Sequence, residues 1–195
     1  MTGKHVVTSG IFDREFIKGF HGGIPNIDES KMLIIKRPKY ERWAPGKYYF
    51  PTETYDSEKD LDFRKNNIGY VMVNTARRGF LEELEPDERC NPPHLDYIGW
   101  YIDQQTDYVI HVCLGNIWSP GSWKPRKFLG KMLHTTEEVP KYQWRTLPTV
   151  IEMMKRNKVA GEQAVLMVAQ EIERRMPEVN TIKGKDKLSR LILNL

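Results

Sequence analysis

Residues 95–114 read LDYIGWYIDQQTDYVIHVCL and contain two runs of β-forming residues. The runs, Leu95–Ile102 and Tyr108–Leu114, are joined by five polar residues at 103–107, a connection typical of a β-hairpin. Because side chains alternate between the two faces of a strand, the second run divides its residues into two sets. One set is Val109, His111 and Cys113, and the other is Tyr108, Ile110, Val112 and Leu114.

Several shorter segments before this hairpin also favour strands. They are apolar or aromatic runs that are short and bounded by glycine, proline or polar residues. Residues 53–67 are polar and charged, and we interpret them as a surface loop. The predicted strands are Val6–Thr8, Met32–Lys36, Lys47–Phe50 and Ile68–Asn74.

The chain after the hairpin becomes helical from Leu147 onward. Pro148 suits a first helical turn, and Thr149 with Glu152 resembles a capping box. The segment Gly161–Met176 carries apolar residues at helical spacing, and a weaker helix is predicted for Lys185–Leu195. The predicted fold is therefore α+β: a mostly antiparallel sheet in the N-terminal two-thirds, with C-terminal helices packed on it.

The length and composition favour one globular domain. The chain has 195 residues, of which 39% are hydrophobic and 29% charged, whereas a typical domain has about 150 residues. We expect a single domain over residues 1–195, mainly β with loops over 1–145 and helical over 146–195. No window holds about 18 apolar residues, so we expect no membrane partner.

The cysteine content and the N-terminal residues predict an intracellular, cytoplasmic protein that is not secreted. Only two cysteines occur, Cys90 and Cys113, and residues 1–13 contain no apolar signal core. A reducing compartment disfavours a disulfide between them. The net charge of +4 permits a polyanionic partner without demanding one.

Both cysteines and two of the five histidines fall within 24 positions, which suggests a zinc site. Thiolate and imidazole groups are the ligands that zinc prefers. The spacing matches no standard pattern of zinc ligands, so these cysteines and histidines can equally be ordinary core and loop residues. We therefore expect no cofactor, and zinc is the alternative. The candidate metal ligands are Cys90, His94, His111 and Cys113.

A catalytic version of this site would use three protein ligands and leave a position open for water. His94, His111 and Cys113 would bind the ion, and Asp96 would act as the base. This arrangement predicts a zinc-dependent hydrolase or nuclease.

Two stretches that mix basic and aromatic residues favour nucleic acid as a partner. Cations neutralise phosphates, and aromatic faces stack on bases at about 1–3 kcal/mol each. The same mixtures also form cation–π contacts that are purely structural. The candidate nucleic-acid-binding residues are Lys36, Arg37, Arg42, Trp43, Lys124, Arg126 and Lys127.

Other catalytic patterns are missing from the sequence. There is no Gly-x-x-x-x-Gly-Lys-Ser/Thr segment and no Gly-x-Ser-x-Gly elbow. A run of carboxylates between Glu82 and Glu88 could bind a cation, but such a run is typical of a solvated surface.

The sequence alone therefore favours a non-enzymatic binding or assembly protein, such as a subunit of a larger particle or a viral accessory factor. Its partner would be another protein or a second copy of the chain. The alternatives left open are a nucleic-acid-binding module and the zinc-dependent hydrolase or nuclease.

Overall fold

A computed structural model of the chain describes residues 4–13, 27, 30–40, 43–86, 92–117, 133, 141–175 and 182–193, with the side chains of 182–187 left out. These residues form seven strands and four helices. The strands are β1 (His5–Phe12), β2 (Lys31–Lys36), β3 (Tyr48–Tyr49), β4 (Thr52–Thr54), β5 (His94–Ile102), β6 (Val109–Asn116) and β7 (Lys141–Thr146). The helices are α1 (Ile68–Leu84), α2 (Leu147–Lys155), α3 (Glu162–Arg175) and α4 (Ile182–Leu193).

All seven strands belong to one mixed sheet in the order β3-β2-β1-β6-β5, with β4 pairing to β1 and β7 pairing to β2. The predicted hairpin is confirmed, since β5 and β6 pair antiparallel. The central pair of β1 and β6 is parallel, with His5 opposite Val109 and Phe12 opposite Asn116. Every other strand pair is antiparallel among the described residues. The predicted α+β class is confirmed, and the sheet is mixed.

The sheet separates two hydrophobic cores. On one face α2, α3 and α4 cover Phe12, Val112 and Leu114, and on the other face α1 covers Val7, Leu33 and Cys113. Strand β1 is buried along its whole length because it lies between the two layers of helices. Residues that alternate along β6 therefore enter different cores, as the sequence predicted.

Helix α1 corrects one prediction from the sequence. Ile68–Asn74 was expected to be a strand because it is rich in β-forming residues, and it is instead the first half of α1. Asn67 explains the start, since its side-chain oxygen accepts hydrogen bonds from the amides of Gly69 and Tyr70. The buried residues Val71, Met72, Thr75, Ala76, Gly79 and Phe80 recur at helical spacing only when the window extends past residue 74.

The C-terminal helices follow the prediction, except that α4 begins at Ile182 rather than Lys185 and that the cap of α2 differs. Pro148 occupies the first turn of α2, and the N-cap residue is Thr146 rather than Thr149. The hydroxyls of these two threonines lie 2.9 Å apart. Within the described part of the chain, no helix has the length and apolar character needed to cross a membrane.

Candidate functional site

Arg78, on the third turn of α1, joins the helix to strand β4 and to the loop that follows it. Its guanidinium makes two hydrogen bonds to the Asp60 carboxylate, at 3.1 and 3.0 Å. It also donates to the backbone oxygen of Thr54 at 2.9 Å and to the Glu82 carboxylate at 3.0 Å. The Glu53 carboxylate lies 3.6 Å from the same nitrogen that bonds Glu82. We call Glu53, Asp60, Arg78 and Glu82 the Arg78 cluster.

The Asp60 carboxylate has a structural role within this cluster. Its side chain is 4% exposed, and besides Arg78 it accepts a hydrogen bond from the amide of Asp56. A buried carboxylate is tolerated only when it is paired and hydrogen-bonded. The pair with Arg78 therefore fixes the loop 55–67 against α1.

Glu53 approaches α1 closely because residue 79 is glycine. A methyl group placed on Gly79 would lie 2.5 Å from the β-carbon of Glu53, which is closer than carbon atoms pack. The Glu53 side chain therefore occupies the space that any larger residue at position 79 would fill. This contact holds the carboxylate beside Arg78.

The electrostatics of the cluster distinguish Glu53 from an ordinary surface acid. Burial is the largest effect and raises the pKa of Glu53 above its usual value. The charges of Glu82 and Asp60 raise it further, while the Thr54 amide and Arg78 lower it by less than the total increase. A carboxylate whose pKa is moved toward neutrality suits general acid–base chemistry.

The carboxylates of Glu53 and Glu82 can contribute oxygen ligands to a hard cation. Glu82 has a half-exposed side chain, and its carboxylate and that of Glu53 lie within 4 Å of one Arg78 nitrogen. Among the residues that the structure describes, no three His, Cys, Asp or Glu side chains are grouped so that they could hold a metal ion alone. Mg²⁺ is commonly bound by only one or two carboxylates together with substrate phosphates, so this donor set fits that mode.

The residues predicted to bind zinc are only partly brought together. His111 and Cys113 lie on the α1 face of β6, both buried. His94 is exposed at the other end of the hairpin, opposite Asn116, whereas His111 lies opposite Trp100. The side chain of Asp96, two positions after His94, reaches Arg175 of α3, so His94 and Asp96 belong to the opposite face of the sheet. Cys90 lies outside the described residues.

His111 belongs instead to a chain of hydrogen bonds within the sheet. The Tyr97 hydroxyl lies 3.0 Å from its Nδ1, and His5 Nδ1 lies 2.9 Å from its Nε2. Burial, and to a smaller extent the charge of His5, lower the pKa of His111 to about 4. Cys113 is a buried free thiol whose pKa burial raises to about 12, which makes it a core residue rather than a reactive one.

Three of the predicted nucleic-acid-binding residues lie at or near the end of β2, but only two of them are in contact. The Arg37 guanidinium stacks 4.8 Å from the centre of the Trp43 ring, and the Lys36 ammonium lies 5.7 Å from the Tyr48 ring. The structure therefore brings Arg37 and Trp43 together on the α1 face of the sheet, whereas Lys36 lies against Tyr48 on the other face. The other four predicted residues, Arg42, Lys124, Arg126 and Lys127, lie outside the described residues.

The Arg78 cluster was not found from the sequence, although part of it carried a signal. Glu82 belongs to the run of carboxylates that we interpreted as a solvated surface. Glu53 and Asp60 are 25 and 18 positions away from Arg78, so only the packing of α1 on β4 brings them together. The sequence feature that could have drawn attention to the cluster is Arg78-Gly79 followed on the same helix by Glu82 and Glu83.

Comparison with known proteins identifies relatives of the fold. No family model and no curated protein sequence matches the chain. Among solved structures, it is similar to a NUDIX hydrolase from Alicyclobacillus acidocaldarius, with a TM-score of 0.57, 14% identity, and coverage of 87% of this chain and 91% of that one. It is also similar to the NUDIX domain of Shewanella oneidensis NrtR complexed with ADP ribose (TM-score 0.54, 13% identity, 90% of each chain). A third similar structure is the MutT protein from Methanosarcina mazei Go1 (TM-score 0.53, 11% identity, 89% of this chain and 96% of that one).

These similarities correct the function that we inferred from the sequence. The interpretation as a non-enzymatic binding or assembly protein, or a viral accessory factor, was wrong, because solved structures that resemble the chain over most of its length are described as hydrolases. That interpretation depended on the absence of catalytic motifs from the sequence. The chain has the α+β fold seen in NUDIX hydrolases.

Proposed function

We propose that this chain is a hydrolase that cleaves the phosphoanhydride bond of a nucleotide-derived substrate such as ADP-ribose. The observation that carries the proposal is the half-buried Glu53 carboxylate, with its raised pKa, held beside Arg78 and Glu82. The fold supports it, because one structure with the same fold is described as a NUDIX domain complexed with ADP ribose. ADP-ribose contains one phosphoanhydride bond, and its cleavage by water gives AMP and ribose 5-phosphate.

In the proposed reaction, Glu53 acts as the general base. Its carboxylate accepts a proton from the attacking water as the oxygen of that water bonds to phosphorus, and the bond from phosphorus to the bridging oxygen breaks. General-base catalysis of this kind contributes about 10²–10⁴-fold to a rate. The raised pKa makes Glu53 a stronger base than an ordinary glutamate.

Arg78 positions the two carboxylates that the reaction uses. One of its nitrogens bonds Glu82 and lies near Glu53, and the rest of the guanidinium is occupied by Asp60 and the Thr54 oxygen. Glu82 would hold a divalent cation jointly with the substrate phosphates, which leaves Glu53 to act as the base. Such a cation neutralises phosphate charge, which would otherwise repel the acidic side chains.

The proposal is tested by incubating the purified protein with ADP-ribose and Mg²⁺ and separating the products by chromatography. We expect AMP and ribose 5-phosphate in equal amounts, and a complete loss of product when the cation is chelated. A contaminating enzyme is excluded if Glu53→Gln, purified in the same way, loses the activity. Failure to cleave ADP-ribose and other nucleoside diphosphate derivatives would refute the proposal.

An intracellular location and a protein partner or second copy of the chain remain part of this proposal. The buried free thiol of Cys113 supports a reducing compartment. Fractionation of cells that express the tagged protein tests the location, and light scattering of the purified protein tests the assembly state.

A further inference from the structure

The cluster at the end of β2 contains a cation packed against two aromatic rings. The Arg37 guanidinium lies 4.8 Å from the centre of the Trp43 ring and 4.5 Å from that of Tyr49. The two rings meet edge to face, with their centres 6.1 Å apart. Cation–π and edge-to-face contacts each contribute about 0.5–1.5 kcal/mol, so the indole of Trp43 is held in a defined orientation.

The Trp43 ring is nevertheless accessible to solvent, in contrast to the ring beneath it. Trp43 is 37% exposed, whereas Tyr49 is 4% exposed and belongs to the core under α1. Tyr40, three positions before Trp43, is 75% exposed. An indole that is held in place but still accessible is suited to stacking on a planar ligand, because little conformational entropy is lost on binding.

This aromatic surface lies on the same face of the sheet as the Arg78 cluster. Tyr49 and Glu53 are four residues apart on one extended segment, and both contact the α1 side, Tyr49 in the core and Glu53 through Gly79. Four extended residues span at most about 14 Å between the backbones of Tyr49 and Glu53. Trp43 lies beyond Tyr49, with the two ring centres 6.1 Å apart. Binding at both places therefore requires an extended nucleotide, with its base at Trp43 and its phosphates at Glu53.

We propose that the indole of Trp43, oriented by Arg37 and Tyr49, stacks on the nucleobase of the substrate and selects nucleotides over other phosphoanhydrides. This inference depends on the proposed function for the position of the phosphates. Trp43 is then a specificity-determining residue. Arg37 acts through Trp43, because its guanidinium supports the ring.

A structural role for the same contacts predicts different behaviour. The amide of Arg37 donates to the oxygen of Lys47 at 2.9 Å, so the stack also closes the turn between them. If closing the turn were the only role, the loss of the indole would lower the stability of the protein and weaken the binding of all ligands equally. Stacking instead predicts that the loss of the indole weakens the binding only of ligands that contain a nucleobase.

Calorimetric titration distinguishes these two roles. The probes are ADP and inorganic pyrophosphate, each with Mg²⁺, and the proteins are the wild type, Trp43→Ala, Trp43→Phe and Trp100→Ala. Trp100 is a matched control because it is 47% exposed but lies on β5. We expect Trp43→Ala to bind ADP roughly 5- to 100-fold more weakly. Pyrophosphate binding should be unchanged, and Trp43→Phe should recover part of the affinity.

Several results would overturn the inference. They are unchanged ADP affinity in Trp43→Ala, an equal loss for pyrophosphate, or no ADP binding by the wild type. Salt-sensitive binding of a single-stranded oligonucleotide without ADP binding would also overturn it and would favour a nucleic-acid surface. Because binding is measured without turnover, base-dependent binding in a protein that fails to hydrolyse ADP-ribose would refute only the proposed function.

Discussion

The close approach of α1 to Glu53 can be tested by replacing Gly79 with alanine. In an exposed helix, this change stabilises a protein by about 1 kcal/mol, since alanine is the better helix former. Here the added methyl group would lie 2.5 Å from the Glu53 β-carbon. Overpacking of this kind costs about 1–3 kcal/mol, so the two effects oppose each other. We expect Gly79→Ala to lower the free energy of unfolding by up to about 2 kcal/mol.

A second substitution isolates the contact from the helix propensity. Glu53→Gly removes the β-carbon with which the new methyl group would collide. In that background the propensity term alone remains, so Gly79→Ala should raise the free energy of unfolding by up to about 1 kcal/mol. The difference between the effects of Gly79→Ala in the two backgrounds is the coupling energy of the contact.

The assay is urea denaturation followed by circular dichroism for the four proteins of this cycle. An exposed position on α3, Gln170, supplies the reference, because Gln170→Ala and Gln170→Gly together report the propensity difference in this protein. Stabilisation by Gly79→Ala to the same extent in both backgrounds would refute the close packing of α1 on β4. It would also remove the reason why Glu53 lies beside Arg78.

Two further predictions concern the buried polar groups. Burial lowers the pKa of His111 from its usual 6.5 to about 4, so the unfolded chain binds protons more readily than the folded chain. The free energy of unfolding should therefore keep its full value above pH 6.5 and fall by about 3 kcal/mol as the pH approaches 4. In urea titrations, an equally steep fall for His111→Gln would show that His111 is not the cause. Arg78→Lys removes the two-point contact with the buried Asp60 carboxylate and should lower the free energy of unfolding by about 1.5–3 kcal/mol. Arg174→Lys, at an exposed ion pair, should leave the unfolding midpoint unchanged. Equal effects of the two changes would be evidence against a structural role for Arg78.

Much of the fold follows from local patterns in the sequence. The hairpin over 95–114 was predictable because two β-rich runs are separated by a short polar connection. Helix α3 was predictable because Val165, Val168 and Ile172 repeat at helical spacing. In both cases the residues that form the element are neighbours in sequence, so the periodicity alone identifies it.

Helix α1 shows where prediction from a short sequence window failed. Seven residues from Ile68 to Asn74 are rich in β-branched and aromatic side chains, and such a window cannot distinguish a buried strand from a buried helix. The Asn67 cap and the helical spacing of the apolar residues as far as Leu84 favour a helix. The parallel pairing of β1 with β6 was also beyond local patterns, because about 100 residues separate the paired strands.

The candidate site was unpredictable for the same reason. Glu53 lies on a strand of only three residues, and its distinction depends on burial under α1 and on the glycine at position 79. The cysteines and histidines attracted attention because they are rare and close in sequence. Alternation along the strands then placed His94 and His111 on opposite faces of the sheet.

Catalysis in the proposed reaction depends on Glu53 as the group that accepts the proton from water, and steady-state hydrolysis of ADP-ribose tests this role most directly. We predict that Glu53→Gln lowers kcat by about 10²–10⁴-fold with little change in KM. Glu58→Gln, which changes an exposed acid in the adjoining loop, should retain the rate of the wild type. A folded Glu53→Gln protein whose kcat lies within about threefold of the wild-type value would contradict the role of Glu53 as the base.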